Sequence, residues 1–160
     1  MAVTTGAGDA AQARPTVELA ASSRWLGGAK ALHRVRNLGR FLTDEPVQMG
    51  GEDAGPNPLE AVLAALNGCL TVMVTRIARE LEIAVDRLEI ESRGDLDPRG
   101  MMGVAGVPRH FRRVEARVRI GTPASDAELE ELRRRVEDRC PVSSLLRAAG
   151  VELQVAWSRG

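Results

Sequence analysis

The chain has 160 residues, 44% of them apolar, with 22 basic and 22 acidic side chains. That is one domain's length, with enough apolar side chains for a core. With zero net charge, two Phe, two Trp and no Tyr, it has neither the field that draws a polyanion or an anionic membrane nor the rings on which bases stack.

Residues 1–15, "MAVTTGAGDAAQARP", are small and polar without a period, which predicts a disordered tail ahead of a single domain at 16–160. No basic region leads into an apolar one there. No apolar run reaches the roughly 18 residues of a membrane span. A soluble, cytoplasmic protein is expected, a compartment where a lasting structural disulfide is disfavoured.

Three short strand-like pieces follow, "TVELA" (16–20), "SRWLG" (23–27) and "ALHRVR" (31–36), separated by Gly and Ser as in a meander. The stretch 41–58, "FLTDEPVQMGGEDAGPNP", holds three Pro and three Gly and reads as a long, functional loop. Asn57-Pro58 then opens a helix to about Leu81, with Asn as N-cap and Pro at the first position. The helix is apolar on nearly every face, which predicts burial all round. Asn67 and Gly68, poor helix formers just before Cys69, predict a bend or a close backbone approach.

A strand at 85–92, a Gly/Pro-rich connection at 94–110 and a strand at 111–120 come next. In the last of these Val114, Ala116, Val118 and Ile120 alternate with Arg113, Glu115, Arg117 and Arg119. Ser125 and Glu128 form a capping box for a helix whose one face carries Leu129, Leu132, Val136 and Cys140. Pro141 ends that helix and starts another that stops at Gly150. A strand at 151–158 closes the chain. The order is that of an α+β fold.

The chemistry rests on two cysteines 71 positions apart. Cys140 precedes Pro141, so it stands at a helix N-cap, where unpaired N–H groups favour a thiolate. It equally fits as a small apolar residue closing the Leu129 face. Cys69 lies in an apolar helix, where burial alone makes a thiol inert unless a cation or base is near. Glu60 is nine residues ahead of Cys69 and so on the opposite face of a straight helix. No two of Cys69, Cys140, His33 and His110 have the short spacing of a structural zinc site, so no metal is expected. Ser143 and Ser144 lack a nucleophile elbow, and "MGGEDAGPNP" does not follow a parallel strand as a phosphate loop does.

Four features together carry a resemblance. "TDEPVQMGGEDAGPNPLEAVLAALNGC" (43–69), "HFRRVEARVRI" (110–120), "LRRRVEDRCPVSSLL" (132–146) and the element order are similar to the OsmC/Ohr family of osmotically induced and organic-hydroperoxide-resistance proteins. The resemblance implies an intertwined homodimer with central helices, antiparallel sheets wrapped outside and active sites at the interface. It implies a thiol peroxidase acting on organic hydroperoxides, with Cys69 attacking and Cys140 resolving. It further implies an activating arginine, Arg40 first and Arg36 second, and a carboxylate. The Ohr and OsmC proper branches carry that carboxylate directly after the Asn-Pro or Ser-Pro, where Leu59 stands here, so the resemblance is to an OsmC-like branch distinct from both; Glu60 follows and is assigned the role. No bound cofactor is implied; the reductant is an external dithiol, lipoyl groups in the family. With Arg139 and Ser143 read as solvent-side neighbours, Cys140 is expected to be the sulfur that meets it. The alternatives are a family member that binds a hydrophobic small molecule in the interface pocket, and a thiol-dependent hydrolase.

Overall fold

The alternation at 111–120 produces the central strand of the protein's larger sheet, with Val114, Ala116, Val118 and Ile120 at most 1% exposed. The computed structural model describes residues 16–160; the expected tail over 1–15 lies outside them. In chain order the elements are β1 (Ser22–Trp25), β2 (Ala31–Arg34), β3 (Arg40–Thr43), α1 (Pro58–Glu80), β4 (Arg87–Asp95), α2 (Pro98–Met101), β5 (Arg113–Gly121), α3 (Asp126–Arg139), α4 (Pro141–Ala148) and β6 (Glu152–Arg159).

They make two sheets. β1, β2 and β3 form an antiparallel meander, with Ser23 opposite His33 and His33 opposite Phe41. In the second sheet β4 runs antiparallel to β5, but β6 runs parallel to it. The expectation of purely antiparallel sheets is therefore corrected: α3 and α4 form the crossover that a parallel pair requires. Two other readings change. Residues 16–20 form no strand, and Phe41, Leu42 and Thr43, read as loop, pair with β2. The Pro and Gly that dominate 41–58 begin only at Pro46, and their density hid a three-residue strand end.

The rest of that stretch is tightly built. The Asp44 carboxylate, fully buried, accepts the Glu52 N–H at 2.9 Å and the Ala54 N–H at 3.2 Å. Burial pushes this carboxyl up, and the backbone N–H groups more than offset that, so it sits below its ordinary value. A Cβ at Gly51 would stand 1.8 Å from the Glu45 carbonyl oxygen, so only glycine lets the loop close on itself. The loop delivers Asn57 to the start of α1, where Asn57 and Glu60 make a full capping box.

Along α1, Leu66, Leu70, Met73, Val74 and Ile77 form one buried stripe against β4 and the helix pair, in one core with the inward side chains of β5. From α3, Leu132, Val136 and Cys140 close the same core, all fully buried. Each buried leucine contributes roughly 1.5–3 kcal/mol by leaving water. The expected burial on every side is not met within one chain. Val62, Ala65, Gly68, Thr71, Val72 and Thr75 face outward, and a Cβ at Gly68 would touch nothing within 4 Å. No close approach is found at Asn67-Gly68, and the helical turns continue through both. Contrary to the run-length reading, α1 is also long and apolar enough to cross a membrane, with a mean hydropathy of 1.7 over 18 residues.

The first sheet makes no substantial packing contact with the helices or the second sheet. Trp25, 74% exposed, and Phe41 show its apolar surface.

Ion pairs decorate the outside, and two set an acid limit. Arg134 and Arg135 hold Glu131 down to about 2, and Arg99 holds Asp97 down to about 2. Both are lowered on folding, so each stabilises the fold while ionised, and that contribution disappears as the pH falls through the folded value. The melting temperature should therefore drop between about pH 4.5 and 2. The drop should shrink in high salt, because these carboxylates lie at the surface. Thermal unfolding at pH 6 and pH 2.5, with and without 1 M salt, checks both parts.

Candidate active site

Two elements bring the cysteines together. Cys69 lies at the margin of the α1 stripe, one turn after Leu66 and one before Met73, and is half-buried. Cys140 sits at the junction of α3 and α4, fully buried, where Pro141 forces one helix to end and the next to begin. Their sulfurs are 3.3 Å apart, both as free thiols, and the Cys140 S–H donates to Cys69.

Cys140 is the N-cap of α4, as the sequence predicts, but its sulfur does not cap the helix. The backbone N–H of Val142 donates instead to Cys69. The positive end of α4 therefore serves the cysteine on the other helix. This donor was invisible in the sequence, because it is a main-chain group and any residue but proline supplies it.

Burial is the largest influence on the Cys69 thiol and pushes it up; the Val142 N–H pulls it down, and Cys140 pushes it up again. The net direction is upward. The Cys140 S–H lies in contact, in position to donate to the Cys69 sulfur. Among the described residues of the same chain, no arginine or carboxylate is one of the groups that act on Cys69.

The other candidate residues lie elsewhere. Glu60 is committed to the capping box: its carboxylate accepts the Asn57 N–H at 2.8 Å. It stands about 13 Å along the helix axis from Cys69 and on the other face. Arg40 opens β3 on an exposed face of the first sheet, beside Arg34 across the β2 pairing. Arg36 is exposed in the β2–β3 turn, with a positive φ of 50°. His33 bridges its own sheet, with Nδ1 2.8 Å from Ser23 Oγ and Nε2 2.8 Å from Thr43 Oγ1. The His110 Nδ1 lies 2.7 Å from the Phe111 carbonyl oxygen, to which it donates. Ser144 is exposed on α4.

The reading of Cys140 as the more accessible sulfur is overturned. Arg139 turns away to pair with Glu80 at the end of α1, and Ser143 is fully buried. The helix end and the polar neighbours Arg139 and Ser143 suggested solvent, but the α3–α4 corner folds Cys140 and Ser143 into the core.

The model of the OsmC-like protein family matches residues 50–156, which hold both cysteines. The chain belongs to the OsmC-like family. Solved structures agree on the fold. An OsmC-like protein from Mycoplasma pneumoniae superposes with a TM-score of 0.76 at 19% identity, covering 89% of this chain and 97% of its own. An organic hydroperoxide resistance protein OsmC from Legionella pneumophila gives 0.70 at 20% identity, covering 91% and 99%. Another organic hydroperoxide resistance protein, from Elizabethkingia anophelis, gives 0.71 at 17%, covering 92% and 100%. No curated protein matches the sequence. In this OsmC-like protein α1 is thus the helix that carries the core of the family's fold.

Proposed function

We propose that this OsmC-like protein is a thiol peroxidase that reduces organic hydroperoxides through Cys69 and Cys140. The observation that carries the reading is the 3.3 Å contact between the chain's only two cysteine sulfurs. The Cys69 thiolate attacks the distal oxygen of R–O–O–H, the O–O bond breaks, and the alkoxide leaves and takes a proton as the alcohol. Cys69 becomes a sulfenic acid. The Cys140 sulfur, already in contact, displaces the hydroxyl as water and forms the disulfide. An external dithiol, of the lipoyl kind, returns both sulfurs to thiols.

The working unit in this reading is a homodimer. The bare side of α1 and the unsupported first sheet are what a second copy of the chain covers. The same arrangement supplies the missing cation: Arg40 cannot pack on Cys69 within its own chain, so it arrives from the partner. Glu60 of the partner copy is the candidate carboxylate that orients the peroxide. The apolar walls of α1 favour an alkyl hydroperoxide over hydrogen peroxide.

The test is consumption of cumene hydroperoxide by the purified protein with dihydrolipoamide as reductant, against hydrogen peroxide as the poorer substrate. An opposite charge within contact lowers a thiol's pKa by about 1–3 units, so Arg40→Ala should slow the peroxide step by about tenfold or more at neutral pH. Raising the pH towards 9 should restore much of the loss, because the thiolate then forms unaided. An Arg40→Ala protein as fast as wild type at pH 7 removes Arg40 from the site. A wild type inert to every peroxide leaves ligand binding in the interface pocket as the function.

A further inference from the structure

The two sulfurs of the pair differ sharply in access, and this bears on how a Cys69–Cys140 disulfide is opened. Cys140 is fully buried, enclosed by the core that includes Leu132, Val136 and Leu146. Cys69 is only half-buried, on the margin of the α1 stripe. Closing the pair from 3.3 Å to a bond of about 2.05 Å needs a shift of only about 1.2 Å, so the disulfide inherits this asymmetry.

Thiol–disulfide exchange is a displacement at sulfur. The incoming thiolate approaches nearly in line with the bond that breaks, from behind the sulfur it attacks. Attack on Cys140 therefore requires a path through the packed core. Attack on Cys69 comes from the margin of the stripe, where the residue is partly exposed.

We propose that the external dithiol attacks the Cys69 sulfur and that Cys140 is the leaving group. The step balances as follows. One thiolate of the dithiol bonds to Cys69 Sγ, the Cys69–Cys140 bond breaks, and its electron pair leaves on Cys140, which then takes a proton. The second thiol of the reductant attacks the mixed disulfide, releasing Cys69 as thiolate and the reductant as a cyclic disulfide. Cys140 departs into the packed interior and takes its proton there, 3.3 Å from Cys69 as in the reduced pair. Cys69 thus faces both the oxidant and the reductant, and Cys140 never leaves the interior.

The inference rests on the redox-pair reading but not on peroxide chemistry, and the experiment keeps the two apart. The intact protein is oxidised with diamide, which forms the disulfide without any peroxide. It is then mixed with excess 2-mercaptoethanol for seconds, quenched in acid, alkylated with N-ethylmaleimide and mapped by peptide mass spectrometry. Mercaptoethanol should be found on Cys69 and maleimide on Cys140, in excess over the reverse pattern by at least about tenfold. As a second reading of access, Cys69 in Cys140→Ser should react with 5,5′-dithiobis(2-nitrobenzoate) at least about tenfold faster than Cys140 in Cys69→Ser. Equal rates after denaturation would show that only burial separates them. Adducts on Cys140, an even split, or failure of diamide to link the pair would overturn the proposal. A diamide-formed disulfide opened at Cys69 in a protein that ignores peroxides would sink the peroxidase and leave this inference standing.

Discussion

Cys69→Ser is expected to consume no peroxide at all, whereas Cys140→Ser, without reductant, should consume about one equivalent per subunit and stop. The two sulfurs touch, so proximity does not separate them. Access and surroundings do. A hydroperoxide must reach the attacking sulfur, and Cys140 is fully enclosed while Cys69 is not. The Val142 N–H also points at Cys69, which places a fixed partial positive charge beside the developing thiolate. A serine hydroxyl at 69 cannot substitute, because at neutral pH it is not ionised and it is a far weaker nucleophile than a thiolate. In Cys140→Ser the sulfenic acid has no thiol to condense with, so it should accumulate on Cys69 and be trapped by dimedone. Both replacements change one atom, and circular dichroism should show both variants folded. A burst retained by Cys69→Ser and lost by Cys140→Ser would exchange the two roles.

Val72→Glu should convert a dimer into monomers and abolish activity with it. In the single chain Val72 is 60% exposed, and a charge there would change stability by no more than about 0.5 kcal/mol. If a second copy covers α1, the same carboxylate is buried without a partner, at a penalty of several kcal/mol per subunit. The two situations give opposite results from one substitution. Sedimentation equilibrium at micromolar concentration should find the wild type dimeric and Val72→Glu monomeric. The variant should also fail as a peroxidase although both its cysteines are intact, because the partner's Arg40 is lost with the interface. A Val72→Glu protein that stays dimeric and active would place the interface elsewhere; a wild type found as a folded monomer would remove it.

Much of the chain was legible because the controlling physics is local. Asn57-Pro58 and Ser125…Glu128 carry their own caps, and both appear as full capping boxes at the predicted places. The alternation through Val114–Ile120 sets one face of β5 inward whatever lies beside it. The break at Pro141 follows from its missing N–H and its ring. The motifs around Cys69 and Cys140 are distinctive enough to point to the family from the sequence alone.

What the sequence could not carry were relations between distant segments. Phe41–Thr43 is a strand only because β2 lies beside it, and strand pairing is not a local property. β6 is parallel to β5 because two helices intervene and turn the chain back. Glu60 is close to Cys69 in sequence, yet within its own chain helix geometry puts it on the other face of α1, where its carboxylate accepts the Asn57 amide. Cys140 looked exposed because its neighbours are polar letters. The corner between α3 and α4 buries it, and turns the Val142 N–H towards a sulfur 73 positions earlier in the chain. The sequence by itself determined most of the elements, their caps and the two candidate cysteines with the motifs around them, since each depends on neighbours within a few positions. Only the tertiary structure decided which sulfur is open and which donor it meets, because burial and main-chain direction exist only once the segments have packed.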